Sequence, residues 1–241
     1  MADTATPGSP ARSWDSARRA ALLARMPLFA PLSPATIREV AALFRPRDVP
    51  RGGFVFREGE ATSAVNIAAA GRIKIVRETE AGRQVVLRLI NPGQPFGVSG
   101  GWGTATYPAS ARALDAAVVL QLPVREFARL LARHPDLALA VIGDLGARLR
   151  EAEARILDLE TEGVEARLAR ALLRLTDPTD DSAAAASIAL GRQDLADLTG
   201  TTLSTASRTL SAWHRRGIVA ALRERVVILD RVALTGIAQG T

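Results

Sequence analysis

The stretch from Leu190 to Val219 constrains the fold most, because it has the pattern of two short helices joined by a tight turn. In the first helix Leu195 faces a core, and Gly200 stands where the chain must turn sharply and positive φ is favoured. Thr202 is a suitable N-cap for the second helix. Apolar residues then follow at three- and four-residue intervals, which predicts one buried stripe made by Leu203, Ala206, Leu210 and Trp213.

A short β-hairpin is predicted directly after the second helix. Ile218–Ala221 and Val226–Leu229 have the pattern of strands and flank a charged tip. A helix-turn-helix followed by such a wing is a stronger signal for DNA binding than two helices alone. The predicted DNA contacts combine short hydrogen-bond donors with arginines, which suit base edges and phosphates: Thr202, Ser204, Thr205, Ser207, Arg208, Ser211, Arg215, Arg223 and Arg225.

The order helix, turn, helix and wing, preceded by a long helix and a β-rich segment, resembles the Crp/Fnr superfamily of bacterial transcription regulators from about Pro27 onward. The resemblance implies that Arg208 reads guanine and that Ser207 contacts a neighbouring base. Ser204 stands where the family commonly has a glutamate, and Leu203 where the catabolite activator has a further arginine. We therefore expect a half-site that departs from the family consensus, within a palindromic operator, and RNA polymerase as a partner in the cytoplasm.

The resemblance also gives the fold class, α+β, with a β-roll (jelly-roll) sensor domain, a long dimerisation helix and a winged helix-turn-helix domain. The expected boundaries are a flexible tail at 1–18, the sensor domain at 19–133, the helix at 134–162 and the DNA-binding domain at 163–241. Independently of the family, the segment from Phe44 to Leu122 contains short β-prone runs separated by glycine, proline and charged turns, which predicts an all-β domain.

Composition excludes several functions. The chain of 241 residues has no cysteine, which excludes disulfides, thiolate zinc sites and a cysteine-ligated iron–sulfur cluster. No apolar run reaches the roughly 18 residues of a membrane span, so a soluble protein is expected. No histidine is paired with a plausible nucleophile and no phosphate-binding glycine motif is present, so the chain is not expected to be an enzyme. The net charge of +6 fits a nucleic-acid partner.

The predicted effector pocket comprises Val98, Trp102, Tyr107 and Pro108. A cyclic nucleotide in a β-roll needs a cation for its phosphate and an acceptor for its ribose. By alignment with the family, Val98 replaces the ribose-binding glutamate, and Tyr107 and Pro108 replace the arginine and serine that hold the phosphate. Arg112 is a possible substitute cation, although a strand there can also point it outward. Cyclic AMP is therefore not the expected effector.

The run YPASA and the long helix after it are similar to the NnrR and Dnr-type branch, which responds to nitric oxide, and this similarity implies haem as a cofactor. The candidate axial ligands are His134, His214 and Tyr107. Tyr107 is also suited to lining a small apolar cavity. A cyclic-nucleotide-responsive regulator and a regulator without any ligand stay open as alternatives.

A long helix is predicted from Pro135 to about Thr161. Its apolar residues recur at intervals of three and four over about seven turns, more than one small domain needs. This stripe predicts a parallel dimer interface at Leu137, Val141, Leu145, Leu149, Ala152, Ile156 and Leu159.

Overall fold

The computed structural model describes residues 10–80, 82, 84–98, 106–176, 187–188, 190–222 and 224–240, and for 158–161 the backbone alone. They form two compact units. The first comprises residues 1–77 and 87–149, and the second residues 78–86 and 150–241. The division falls inside the long helix, so the predicted boundary at residue 134 is not where the compact units part.

The first unit begins with a short helical layer. A 3₁₀ helix at Pro10–Ser13 precedes α1 (Ser16–Ala24), and α2 (Pro34–Leu43) is capped by Ser33, whose hydroxyl accepts from the Thr36 amide at 3.2 Å. Trp14 is buried in the core, and the Ala11 amide donates to Asp48 at 2.9 Å. The predicted flexible tail is therefore wrong for residues 10–18, since these apolar side chains pack; residues 1–9 lie outside the description.

Two antiparallel four-stranded sheets form the β-roll, in the orders β1-β8-β3-β6 and β2-β7-β4-β5. Their inward side chains build two apolar clusters, one of which includes the helical layer. The strands are β1 (Arg45–Val49), β2 (Phe54–Phe56), β3 (Ala64–Ala70), β4 (Ile73–Glu78), β5 (Gln84–Ile90), β6 (Pro95–Phe96), β7 (Ser110–Ala113) and β8 (Ala117–Pro123). Helix α3 (Val124–Arg133) follows, and the long helix α4 spans Pro135–Thr161.

The rest of the second unit is a helical domain with a small three-stranded sheet ordered β10-β11-β9. Its elements are α5 (Val164–Arg174), β9 (Ser187–Ile188), α6 (Arg192–Thr199), α7 (Leu203–Arg215), β10 (Val219–Leu222), β11 (Arg225–Ile228) and α8 (Arg231–Gln239). Helices α6 and α7 are the predicted helix-turn-helix, and β10–β11 is the predicted wing. The expected α+β fold class is confirmed.

Within the described residues, no helix is both long enough and apolar enough to cross a membrane.

Candidate DNA-binding site and sensor pocket

The turn between α6 and α7 has the geometry that its sequence predicts. Gly200 ends α6 with φ +64°, the left-handed region that side chains with a Cβ rarely adopt. Its amide donates to the Ala196 carbonyl. Two residues later the Thr202 hydroxyl caps α7 by accepting from the Thr205 amide at 3.2 Å. Gly200 therefore fixes the end of α6, and Thr202 fixes the start of α7.

Helix α7 buries one stripe and exposes the opposite face. Ala206, Leu210 and Trp213 have no solvent exposure. Leu203 was predicted to belong to the same stripe, but 46% of it is exposed. The spacing predicted burial because Leu203 lies one turn before Ala206. In the structure Ala206 is the first buried residue of α7, and the turn that contains Leu203 projects beyond the core.

The exposed face of α7 carries a hydroxyl cluster beside an arginine. The Thr202 hydroxyl lies 3.0 Å from the Ser204 hydroxyl and 2.9 Å from the Thr205 hydroxyl. Arg208 is exposed, and its Nη2 lies 3.5 Å from the Thr205 hydroxyl. Ser207 precedes it on a half-buried position. This arrangement offers one planar guanidinium and several short donors and acceptors at the N-terminal end of the helix, where helix-turn-helix proteins contact base edges.

The remaining predicted DNA contacts flank this face. Arg215 is exposed in the last turn of α7, and Ser211 is half-buried. The wing pairs Leu222 with Arg225 at its tip, and Arg225 is exposed. Arg223 lies outside the described residues. Exposed guanidinium groups at these places suit a phosphate backbone.

Arginines also hold the helix-turn-helix in place, a role that sequence reasoning missed. Arg167 donates from Nε to the Thr199 carbonyl at 3.1 Å, at the C-terminal end of α6. Arg155 of α4 donates to the neighbouring Leu198 carbonyl and, at 2.8 Å, to the Val86 carbonyl. Burial lowers the pKa of Arg155, and the positive charge of Arg174 lowers it further. Cations at the carbonyl end of α6 complement its dipole.

The apolar residues of α4 fall into a buried group and an exposed group. Leu137 and Val141 are buried in the β-roll cluster. They were predicted to lie at a dimer interface, and this is wrong because their side chains are used within the chain. Three other residues, Ile142, Leu149 and Ile156, are each about 60% exposed.

These three exposed residues are spaced seven apart, the a positions of a heptad. The d positions between them are occupied by Leu145, which is half-buried and packs partly against the β-roll cluster, and by the exposed Ala152. Together they form the α4 seam, which we define as Ile142, Leu145, Leu149, Ala152 and Ile156. Leu159 would continue it, but its side chain lies outside the description.

In the sensor domain, Tyr107 is packed into the β-roll. Its ring stacks on Phe56 with centroids 3.7 Å apart and planes at 8°. Its hydroxyl donates to the Ala64 carbonyl at 2.9 Å and accepts from the amides of Ala64 and Ser63 at 3.1 and 3.3 Å.

The other predicted pocket residues differ in their surroundings. Val98 is buried, in agreement with a place inside the sensor domain. Pro108 is exposed in the bend before β7, whereas the preceding Tyr107 is buried, so the prediction of Pro108 as a pocket residue is wrong. Trp102 lies outside the described residues.

Tyr107→Phe is expected to lower the free energy of unfolding by about 1–3 kcal/mol, because it removes the hydroxyl to which the buried Ala64 amide and the partly buried Ser63 amide donate. Urea unfolding followed by circular dichroism measures this. Thr235→Val, which removes an exposed hydroxyl bonded to the Arg231 carbonyl, is the control and should change stability much less. Equal stability of the Tyr107 variant and wild type would contradict the described packing.

Comparison with protein families gives two matches. A cyclic nucleotide-binding domain model matches residues 46–134, and a Crp-like helix-turn-helix domain model matches residues 166–237. The chain is 28% identical over 221 residues to the transcriptional activator protein anr of Pseudomonas aeruginosa, covering 89% of this chain and 90% of that protein. It is 29% identical to the cyclic AMP receptor protein of Thermus thermophilus, covering 89% and 97%.

Solved structures show the same architecture. A CRP-family transcriptional regulator from Thermus thermophilus matches with a TM-score of 0.67 and 26% identity, over 80% of this chain and 96% of that one. FixK2 from Bradyrhizobium japonicum matches in fold with a TM-score of 0.71 and 23% identity, over 80% and 96%. The nitric-oxide-responsive branch stays a prediction. With the β-roll, the long helix and the winged helix-turn-helix all in place, the chain belongs to the Crp/Fnr family of DNA-binding transcription regulators.

Proposed function

We propose that the chain acts as a homodimer that binds a palindromic DNA site and regulates transcription together with RNA polymerase. The observation that carries this proposal is the exposed face of α7, where Ser204 and Arg208 project from a helix whose other face is fully buried. A second copy related by a two-fold axis would present the same face to the next major groove, about 34 Å away.

Selection of bound duplexes from a random DNA pool with the purified full chain tests this function. We expect an inverted repeat whose half-sites are one helical turn apart. Enrichment of no sequence, or of a single unrepeated half-site, would contradict the proposal.

The α4 seam supports dimer formation. A water-soluble chain gains nothing from holding Ile142, Leu149 and Ile156 in solvent, and a heptad pattern is satisfied when two parallel helices interlock. If α4 pairs with its copy in a symmetric dimer, the same two-fold axis relates the two α7 helices. The seam therefore supplies the two-fold relation that a palindromic site requires.

Cyclic AMP is expected not to bind in the micromolar range. Tyr107 and Val98 put a phenol ring and an apolar side chain at the positions where a cyclic nucleotide needs charged partners. Arg112 does not replace them, because its Nε donates to the Gly52 carbonyl at 2.8 Å and its guanidinium lies 5.5 Å from the Phe54 ring. Titration with fluorescently labelled cyclic AMP measures this, and saturable micromolar binding would contradict it.

The described side chains do not fit a haem site at this pocket. The Tyr107 hydroxyl is committed to three backbone groups, and Met26 is buried in the apolar core beneath the helical layer. His134 ends α3, and His214 lies in α7 with Nδ1 3.2 Å from the Val219 carbonyl. Neither histidine belongs to a strand of the β-roll.

The second candidate is a regulator that binds DNA without a small-molecule effector. It is favoured by the stack of Tyr107 on Phe56, since by alignment with the family Tyr107 stands where the phosphate-binding arginine would be. Operator affinity measured with and without haem, nitric oxide and cyclic AMP discriminates the candidates. Equal affinity in all conditions supports the ligand-independent regulator, and a change with one addition identifies the effector.

A further inference from the structure

Leu203 is an apolar side chain placed on a polar surface. It is the first residue of α7 and 46% exposed, whereas the other large apolar residues of this helix, Leu210 and Trp213, are fully buried. The exposed residues that flank it in sequence, Thr202 and Ser204, carry hydroxyl groups, and Arg208 follows one turn after Ser204.

No local structural role accounts for this leucine. The cap of α7 is the Thr202 hydroxyl, which needs no particular residue at the next position. A hydrophobic staple would join the residue before the cap to the fourth helical residue, here Thr201 and Ala206, and would not include Leu203. A half-exposed leucine at this place has its apolar surface available for a partner.

The position of Leu203 on the helix suggests what that partner is. Residues four apart lie in one row, so Leu203 precedes Ser207 in the same row, next to the row of Ser204 and Arg208. From Leu203 to Arg208 the helix rises about 7.5 Å. Stacked bases are about 3.4 Å apart, so the two side chains reach bases two or three steps apart.

The major groove offers one apolar group on the base edges, the 5-methyl of thymine. We propose that Leu203 reads the methyl group of a thymine lying within three base pairs of the guanine contacted by Arg208. This inference rests on the proposed function and adds a specificity-determining residue to it. Leucine lacks any hydrogen-bonding atom in its side chain, so it selects thymine through contact with the methyl and excludes the polar edge of cytosine.

The test uses deoxyuridine, which differs from thymidine by that methyl group alone. Each thymine of the selected operator is replaced in turn, in both half-sites, and wild-type affinity is measured at fixed salt. Losing one buried methyl weakens binding about fourfold per half-site, so about sixteenfold is expected when both half-sites carry the replacement. We expect this loss at only one thymine position of the half-site. Leu203→Ala should bind thymine and uracil duplexes equally at that position.

Val232→Ala is the matched control, because Val232 is 84% exposed but belongs to α8. It should keep the full wild-type response to uracil. Wild-type binding that is unchanged by uracil at every position, or a Leu203→Ala variant with an unchanged uracil response, overturns the inference while the selected operator still stands. Failure to select any operator overturns the proposed function and this inference with it.

Discussion

Replacing Arg208 with alanine is expected to remove most of the sequence preference of DNA binding while leaving weak, salt-sensitive binding. A bidentate arginine–guanine contact contributes about 1–3 kcal/mol of discrimination. Two half-sites in a palindrome double this to about 2–6 kcal/mol, or roughly 30-fold to 10⁴-fold in the ratio of specific to non-specific affinity. The guanidinium is exposed, so its removal should not disturb the core of the helical domain.

The measurement compares Kd for the selected operator and for a scrambled duplex at one salt concentration. Arg208→Lys separates the contribution of the positive charge from that of the guanidinium geometry, because lysine keeps the cation but lacks the planar pair of donors. Arg225→Ala is the second comparison: a phosphate contact from the wing should weaken binding to both duplexes alike and reduce the salt dependence. If the Arg208→Ala protein still prefers the operator as strongly as wild type does, base reading by this helix is excluded.

The helix-turn-helix could be predicted because its signals are local. Gly200 needs positive φ, Thr202 needs to cap the helix that starts beside it, and the buried stripe repeats within a few residues. The same local logic predicted the hairpin β10–β11. Each of these features depends on residues within one or two turns of chain.

Predictions failed where burial depends on distant parts of the chain. The stripe of α4 is continuous in sequence, but the β-roll covers Leu137 and Val141 and leaves Leu149 in solvent. Periodicity states which side of a helix is apolar and does not state what covers it. Leu203 was assigned to the core for the same reason.

Contacts from arginine to backbone carbonyls were also beyond sequence reasoning. Arg155 of α4 donates to the carbonyls of residues 86 and 198, which are far from it in sequence. Arg170 similarly reaches the Ala238 carbonyl at the end of α8 from α5, at 2.8 Å. Because every residue has a carbonyl, such partners have no sequence signature.

Leu149→Glu is expected to convert the dimer into monomers and thereby to remove high-affinity operator binding. Leu149 is the central a position of the α4 seam and is 60% exposed in the single chain, so the substitution spares the core. Burying a leucine contributes about 1.5–3 kcal/mol, so two copies lose about 3–6 kcal/mol, or roughly 10² to 10⁴ in the dimer Kd. Two facing glutamates add repulsion between like charges.

Sedimentation analysis over a range of concentrations gives the dimer Kd, and the operator titration gives the consequence for DNA binding. Arg150→Gln is the matched control, since it also changes the charge by −1 on the adjacent exposed residue but lies off the seam. Leu137→Ala provides the contrast: it should lower the free energy of unfolding by about 2–5 kcal/mol through a cavity in the core, without acting directly on the seam. A Leu149→Glu protein with the wild-type dimer Kd would mean that α4 pairs through another face, and the two-fold relation between the α7 helices would then need a different source.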